Sequence, residues 1–408
     1  MKHMVVLGAT SEIAIATIKR FAQEAQSKLE QELSSHPVKV TPSLSLREAP
    51  SFSLEAKQSL SAQAAILAKS NAIGSYALAG RNREALHALV LELQDAYPLC
   101  HFTEHYFDTN MSLDKMRDLW LEVHYSSSAT SDSIAQDCVS RASLAQAENQ
   151  GTISEVVSEI EGEVKVTTEA QGIVSGSDVG DVERTELSDR EVSLNLEGKQ
   201  EGSQAVSLAR ILEGKQEGSQ AVSLARSLEG EHVGLVGGTG IDVLFCAVGY
   251  LGDVHLAQYD VSLAAKVMQS NFNGLIPILS WCAEEMEERQ QGSLLVISSV
   301  AGVRGRASNY CYGAAKAAMN AYLSGLRVRL QRHGVQVMTI LPGYVATRMV
   351  AGRKLPPYIT ASVDTVAQDI VRGYKQRRDI LYTMWLWRYI MAVTKLLPEC
   401  IFKRLYMF

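Results

Sequence analysis

Short apolar runs alternate with longer segments whose apolar residues recur at helical spacing. We predict six strands and a candidate last strand from the apolar runs: Met4–Leu7, Ser75–Ala79, Phe102–Phe107, Asp242–Phe245, Leu294–Ser298, Val335–Ile340 and Ile380–Thr383. The segments Ile13–Glu24 and Arg83–Ala96 predict helices that follow the first two strands. Strands that alternate with helices in this way are typical of an α/β fold built on a parallel sheet.

Two segments interrupt this alternation. Residues 25–72 hold two helical pieces around a Pro/Ser stretch, and we predict an insertion that leaves the sheet and returns. Residues 126–240 are rich in Ser, Gly, Glu, Gln and Ala, contain no aromatic residue, and repeat Leu196–Arg210 at Leu212–Arg226 with a period of 16. This composition predicts a disordered insertion; a partner-binding segment and a local duplication are the alternatives. We predict one domain over 1–383, with its core in 1–24, 73–125 and 241–383.

The bulk composition narrows the class of protein. The chain has 408 residues, 46% of them hydrophobic, and a formal net charge of −6, which gives no electrostatic reason for binding nucleic acid. None of the six cysteines forms a CxxC pair or a metal-ligand spacing, so we expect reduced thiols and no metal site. The apolar run after His3 is too short for a signal peptide, so we expect the catalytic domain to face the cytoplasm.

Candidate chemistry lies in the second half of the chain. Tyr312 and Lys316 are four residues apart, so on a helix they share one face. An ammonium beside a phenol favours the phenolate, and we therefore expect a lowered pKa for Tyr312. Ser299 follows an apolar run and can hydrogen-bond the same substrate oxygen. The three side chains fit proton transfer to or from an alcohol oxygen, whereas Tyr310 and Ser298 are expected to face elsewhere.

The spacing Ser-x12-Tyr-x3-Lys resembles the short-chain dehydrogenase/reductase family. The resemblance implies a Rossmann-type doubly wound sheet and hydride transfer between a ketone and a secondary alcohol. It makes Tyr312 the acid or base, Ser299 a hydrogen-bond donor to the substrate oxygen, and Lys316 a ligand of the nicotinamide ribose. Asn271, in Asn-Phe-Asn-Gly, matches the family's Asn-x-x-Gly and would hold a water that links Lys316 to solvent. A non-catalytic nucleotide-binding scaffold is the rival interpretation.

The first strand leads into a turn that is a candidate pyrophosphate site. Free N–H groups where a strand turns into a helix bind phosphate, and this turn contributes Gly8, Thr10, Ser11, Glu12 and Ile13. The family has three glycines in the pattern TGxxxGxG, and only Gly8 is retained here. A carboxylate at Glu12 would repel a pyrophosphate unless its side chain turns outward.

Further resemblances favour NADP(H), with NAD(H) as the alternative. An acidic residue at the end of the second strand would select NAD, and this chain has Gly80 and then Arg81, which suits a 2′-phosphate. Asp108 resembles the adenine-contacting aspartate, and Gly249 keeps the last position of an Asn-Asn-Ala-Gly motif that reads Cys-Ala-Val-Gly here. The sequence after the sixth strand is similar to PGxVxT, which holds the nicotinamide carboxamide, through Pro342, Gly343, Val345 and Thr347.

The C-terminal segment 384–408 is dense in apolar and aromatic residues broken by Arg388 and Lys395. This pattern favours an amphipathic helix at the inner face of the cytoplasmic membrane; packing on the sheet or on a second subunit is the alternative. The segment and the turn after strand one are similar to a branch of the family that includes a ketoreductase of decaprenylphosphoryl-arabinose formation. A small-molecule or a lipid-linked substrate is therefore expected, and the family implies a homo-oligomer. Residues 346–360, with Arg348, Arg353 and Lys354, are expected to cover the pocket.

Overall fold

Seven parallel strands form the central sheet of the computed structural model: β1 Lys2–Leu7, β2 Ile73–Gly80, β3 His101–Tyr106, β4 Val243–Cys246, β5 Ser293–Ile297, β6 Gln336–Leu341 and β9 Ile380–Tyr382. Their order across the sheet is β3-β2-β1-β4-β5-β6-β9. A pair of two-residue strands, β7 Tyr344–Val345 and β8 Thr360–Ala361, lies apart from this sheet. The predicted α/β class, the Rossmann-type doubly wound sheet and the last strand are confirmed.

The structure describes residues 2–35, 63, 65–67, 69–70, 72–126, 240–352 and 355–404. They all belong to the unit formed by Met1–Gly151 and Gly238–Phe408. The other unit, Thr152–Gly237, lies outside the described residues, as do the 16-residue repeat and most of the two predicted insertions. The predicted insertions and their disorder therefore stay predictions.

Helices cover both faces of the sheet. They are α1 Glu12–Ser35, α2 Arg83–Ala96, α3 Leu113–Ser126, α4 Val261–Asn271, α5 Ile276–Glu288, α6 Tyr310–Leu330, α7 Val363–Lys375, α8 Leu386–Leu396 and α9 Glu399–Phe402. The first helix extends past the predicted end at Glu24. The reason is that its buried stripe continues through Ala25 and Leu29 at helical spacing, and no Gly or Pro stops it before Pro37.

Successive side chains of β1 point to opposite faces of the sheet, and they belong to two separate layers of the core. Met4 and Val6 pack with residues of α1, α2 and α7 on one face, whereas Val5 and Leu7 pack with residues of α3, α5 and α6 on the other. A strand buried on both faces is expected in a parallel sheet that helices cover on each side. Along the described part of the chain, no helix combines the length and the apolar character that crossing a bilayer requires.

Candidate active site

A cavity of about 300 Å³ opens at the carboxyl ends of the central strands. Its walls come from the segments that follow four of them, β1, β4, β5 and β6, and from α6 and α8. The strand order reverses between β1 and β4, and ligands of open α/β sheets bind at such a switch point. All three predicted catalytic side chains, Ser299, Tyr312 and Lys316, line this cavity.

Two glycines bring the turn after β5 against helix α6. Ser299 is extended, and its Oγ accepts a hydrogen bond from the Ala301 N–H at 3.1 Å, which caps the turn 300–302. A Cβ on Gly302 would lie 2.5 Å from the backbone carbon of Lys316, and a Cβ on Gly313 would lie 3.0 Å from the carbonyl oxygen of Ala301. Side chains at these two positions would therefore push Ser299 away from Tyr312.

Tyr312 is held as a neutral phenol. Desolvation by the surrounding side chains raises its pKa to about 12, although the ring keeps part of its surface exposed to the cavity. A hydrogen bond from the Ser299 hydroxyl favours the phenolate and limits this rise of the pKa. The ammonium of Lys316 lies 5.8 Å from the centre of the Tyr312 ring. The expected lowered pKa of Tyr312 is therefore wrong for the protein alone, because burial outweighs the hydrogen bond from Ser299.

Lys316 is almost fully buried, with 1% of its surface exposed. Its Nζ donates to the carbonyl oxygens of Ile297 at 3.2 Å and Val248 at 3.4 Å, so it ties the ends of β5 and β4 together. Burial lowers the pKa of Lys316 to about 8, and Cys246 opposes this shift. The ammonium is thus the major form at neutral pH, held by carbonyl dipoles.

Asn271, the last residue of α4, is fully buried beside the same loop. Its Nδ2 donates to the carbonyls of Tyr250 at 2.6 Å and Val267 at 2.8 Å, and its Oδ1 accepts from the Tyr250 N–H at 3.1 Å. Asn271 and Lys316 therefore both hold segment 248–250 by hydrogen bonds to its backbone. The implied water-holding role of Asn271 stays a prediction.

The two neighbouring residues of the same types are placed differently. Ser298, which was expected to face elsewhere, also contributes to the cavity wall, but it is buried and its hydroxyl donates to the Lys316 carbonyl at 3.2 Å. Tyr310 is 45% exposed, and its hydroxyl donates to the Gln258 carbonyl at 3.4 Å.

A second cavity of about 220 Å³ adjoins the first, and the two share Ser11 and residues 247–249 as walls. It is also lined by Gly8, Thr10, Gly80, Arg81, Phe107 and Thr109. Gly8 has a φ of +75°, and a Cβ there would lie 3.0 Å from the Val248 nitrogen, so this turn requires glycine. The Ser11 Oγ accepts from the Ala14 N–H at 3.2 Å at the start of α1, beside both cavities.

The two adjoining cavities fit a dinucleotide that spans the switch point. Arg81 is exposed at the edge of the second cavity, as a group that meets a 2′-phosphate requires. Asp108 lies between two lining residues, and its Oδ1 accepts from the backbone and side chain of Asn110 at 2.9 and 3.0 Å. Ile13 lines the first cavity, on the side of the helix entrance.

Glu12 turns towards the loop after β6. Its Oε2 accepts from the Arg348 N–H at 2.8 Å, and its Oε1 lies 3.5 Å from the Arg348 Nε. The carboxylate at the glycine position of the family pattern is therefore partly neutralised by a residue 336 positions later in the chain.

The segment after β6 forms the wall opposite the turn of β1. Pro342, Gly343, Val345 and Thr347 all line the first cavity, and the Pro342 carbonyl accepts from the Val300 N–H at 3.1 Å. The Thr347 Oγ1 lies 3.5 Å from the Val345 carbonyl. Gly249, on the facing wall, would bring a Cβ to 3.5 Å from the Met349 Cε. Arg353 and Lys354 of the predicted covering loop lie outside the described residues.

The sequence interpretation missed the contribution of the C-terminal segment to this cavity. Trp387 of α8 is 3% exposed, lines the cavity, and donates from Nε1 to the Ile359 carbonyl at 3.0 Å. Its ring lies on Gly343, where a Cβ would come within 1.9 Å, and makes an edge contact with Tyr344. Arg306, only 8% exposed, also lines the cavity, and desolvation lowers its pKa. The local sequence around Trp387 carries no signal for this position.

The sequence profile of the short chain dehydrogenases matches residues 231–356, which include all four predicted catalytic residues. The resemblance to the short-chain dehydrogenase/reductase family is confirmed over these residues. An uncharacterized oxidoreductase of Mycobacterium tuberculosis is 33% identical over 159 residues, which are 39% of this chain and 64% of that relative. An uncharacterized oxidoreductase of Streptomyces coelicolor is 29% identical over 165 residues, 40% of this chain and 65% of that protein. The chain thus spans just under two thirds of the length of these relatives.

Solved structures of short-chain dehydrogenases cover nearly the whole chain. The short-chain dehydrogenase from Sphingobium yanoikuyae in complex with NADPH is 12% identical, covers 98% of this chain and 97% of its own, and has a TM-score of 0.49. The profile match includes most residues that line the main cavity, whereas the turn after β1 and helix α8 lie outside it.

Proposed function

We propose that this protein is an NADP(H)-preferring oxidoreductase that interconverts a ketone and a secondary alcohol. The observation that carries the proposal is that Ser299, Tyr312 and Lys316 line one cavity. This cavity adjoins a second one, which is lined by the turn after β1 and by Arg81. A nicotinamide cofactor bound across the two cavities would supply the hydride to the carbonyl carbon.

The chain's own residues handle the proton and the developing charge. The Tyr312 hydroxyl is protonated at neutral pH, as any phenol with a pKa of 10 or more is, and it donates its proton to the carbonyl oxygen as the alcohol forms. Ser299 donates a hydrogen bond to the same oxygen and stabilises its negative charge. The Lys316 ammonium favours the Tyr312 phenolate that remains after the transfer. The protonated ground state of Tyr312 suits the direction of reduction.

The preference for NADP(H) rests on Arg81 at the rim of the second cavity. A guanidinium there forms charge-assisted hydrogen bonds with a 2′-phosphate, whereas no acidic side chain at the end of β2 competes for a ribose hydroxyl. Replacing Arg81 with Gln should raise the KM for NADPH about tenfold and leave the KM for NADH within about twofold.

A titration of the purified protein with NADPH and NADH, followed by a panel of ketone substrates, tests the activity. Hydride transfer should appear as loss of nicotinamide absorbance in the wild type and should be absent in Tyr312→Phe. Dinucleotide binding without turnover on any ketone would instead support the rival interpretation as a nucleotide-binding scaffold. A lipid-linked ketone belongs in the panel, because the C-terminal helix α8 contributes Trp387 to the cavity wall.

A further inference from the structure

Helix α8 presents a continuous apolar face to solvent. Trp385, the residue before α8, is followed by Tyr389, Val393 and Leu396 at intervals of four, four and three residues, and the four are 73%, 61%, 61% and 82% exposed. At 3.6 residues per turn these positions share one side of the helix. We call these four residues the outer face of α8. Such a continuous apolar stripe marks an interaction site rather than scattered surface residues.

The helix is fixed to the protein by its opposite side. Trp387 and Met391 are 3% and 1% exposed and pack beside the cavity, together with Val300 and Leu341. At the end of the helix, Arg304 Nη1 donates to the carbonyls of Thr394 at 2.6 Å and Leu397 at 2.5 Å. Both faces of α8 are apolar, and the protein itself buries only the face with Trp387 and Met391. The outer face is left for a partner outside the described residues.

The segment that carries the outer face is rich in positive charge. The segment 384–408 contains four cations (Arg388, Lys395, Lys403 and Arg404) and one acid (Glu399), a net charge of +3 in a chain of net −6. All four cations are exposed, and within the described residues none of them forms an ion pair. Glu399 is paired with Arg304 at 2.7 Å, a cation outside this segment, so it does not neutralise these four cations.

We propose that the outer face of α8 docks the protein on an anionic lipid surface. Trp and Tyr favour the boundary between headgroups and acyl chains, Val and Leu reach below it, and lysine and arginine beside them bind anionic headgroups. A second copy of this chain is the less favoured occupant, because it would have to offer acids to four cations. Docking through α8 turns the cavity wall formed by Trp387 towards the membrane.

Co-sedimentation of the full chain with phosphatidylcholine vesicles, with and without phosphatidylglycerol, tests the proposal. The wild type should bind the anionic vesicles and release them at high salt. The triple variant Tyr389→Ser/Val393→Ser/Leu396→Ser and the double variant Arg388→Gln/Lys395→Gln should each lose about tenfold or more in partitioning. Tyr259→Ser/Val261→Ser/Val328→Ser removes equally exposed apolar side chains elsewhere and should bind as the wild type does.

Light scattering and a catalytic variant separate the alternatives. If the wild type binds neither kind of vesicle, or if the triple variant binds like the wild type, the proposal is wrong. A dimer that the triple variant converts to a monomer, without vesicle binding, would identify the outer face as an interface between copies. Tyr312→Phe should bind vesicles normally, so the failure of the proposed catalysis and the failure of docking are distinguishable.

Discussion

The Glu12 carboxylate accepts a hydrogen bond from the backbone N–H of Arg348 at 2.8 Å, and both residues line the main cavity. This contact links the first turn of α1 to the loop after β6, and the guanidinium of Arg348 lies at 3.5 Å from the second carboxylate oxygen. Arg348 is 78% exposed and Glu12 is 33% exposed, so the ion pair itself contributes little. The importance of the contact is its position, because it fixes the Glu12 carboxylate in the turn after β1, which is the predicted pyrophosphate site.

We expect Glu12→Gln to bind NADPH up to about fivefold more tightly than the wild type, because the variant keeps the shape of the side chain and removes the repulsion. Fluorescence titration at low and high salt measures the dissociation constant, and the difference should shrink at high salt. Glu24→Gln is the control. Glu24 lies on α1, as Glu12 does, but it pairs with Lys375 of α7 and lines neither cavity. Weaker NADPH binding by Glu12→Gln would show that the link to Arg348 organises the site.

Tyr312→Phe removes one hydroxyl from the cavity and should lower turnover by about a thousandfold or more. The variant loses both the general acid and the hydrogen bond to the substrate oxygen, and the two losses together account for this factor. NADPH affinity should change by less than about threefold. Tyr310→Phe, two residues earlier, removes an exposed hydroxyl that contacts the Gln258 carbonyl and should keep full activity. Steady-state kinetics and NADPH titration of both variants provide the measurement. Comparable turnover in the two variants would contradict the role given to Tyr312.

Burial of Lys316 makes part of the folding free energy depend on pH. Its pKa falls from 10.5 to about 8 on folding, so between these values the unfolded chain binds more protons and stability rises with pH. Burying the charged ammonium costs the wild type about 3 kcal/mol of stability below pH 8. Lys316→Met does not bear this cost. The stability advantage of the variant over the wild type should therefore shrink by about 1 kcal/mol between pH 7 and pH 9.

Urea unfolding of both proteins at pH 7, 8 and 9 measures this difference. Cys246 and Tyr312 face Lys316, and burial raises the pKa of both groups above their usual values of 9 and 10, which keeps them neutral over most of this range. The stability given by the raised pKa of Tyr312 is lost only as pH rises from 10 through 12. A difference between the proteins that does not change with pH would show that Lys316 titrates normally.

The strand pattern was sufficient to predict the sheet, because each run of β1, β2, β4 and β5 is buried on both sides and therefore almost wholly apolar. Ser299, Tyr312 and Lys316 were placed together by spacing, since one strand end and one helix turn determine their positions. Their catalytic roles stay predictions. The direction of the Tyr312 pKa was predicted wrongly because spacing shows a neighbouring charge but not desolvation.

Contacts between distant parts of the chain could not be predicted in this way. The position of Trp387 depends on how α8 returns to the carboxyl end of the sheet after β9, and nothing in its local sequence separates a cavity wall from a surface helix. The same holds for Glu12 and Arg348, whose contact requires the fold of the whole domain. The helical periodicity of α8 predicted two faces but not which one the protein buries.

Gly343→Ala should displace Trp387, because the new Cβ would lie 1.9 Å from the indole ring. We expect a loss of about 2 to 3 kcal/mol in stability, typical of overpacking a buried contact, and a red-shifted tryptophan emission. Gly325→Ala is the matched control: nothing lies within 4 Å of its Cβ, and alanine in the middle of α6 should stabilise the protein by about 0.5 to 1 kcal/mol. Thermal unfolding and fluorescence measure both, and an unchanged emission in Gly343→Ala would refute the packing of Trp387 on the backbone.

Arg304 holds the C-terminal helices, and its replacement should release them. The guanidinium donates to two carbonyls at the end of α8, pairs with Glu399 and lies over the Phe402 ring at 3.8 Å. Cations stabilise the carbonyl end of a helix, and hydrogen bonds to a charged group are worth about 1.5 to 3 kcal/mol. We therefore expect Arg304→Gln to be cleaved by trypsin after Arg388 much faster than the wild type, and to show a raised KM for ketones because Trp387 no longer closes the cavity.

Arg329→Gln is the control for this variant, because Arg329 pairs with Glu287 on the exposed side of α6. Its cleavage pattern and its KM should match those of the wild type. Mass spectrometry of the tryptic products over time locates the cut. If Arg304→Gln is cleaved after Arg388 no faster than Arg329→Gln, the packing of Trp387 and Met391 alone is enough to hold α8, and the contacts of Arg304 add nothing to the closure of the cavity.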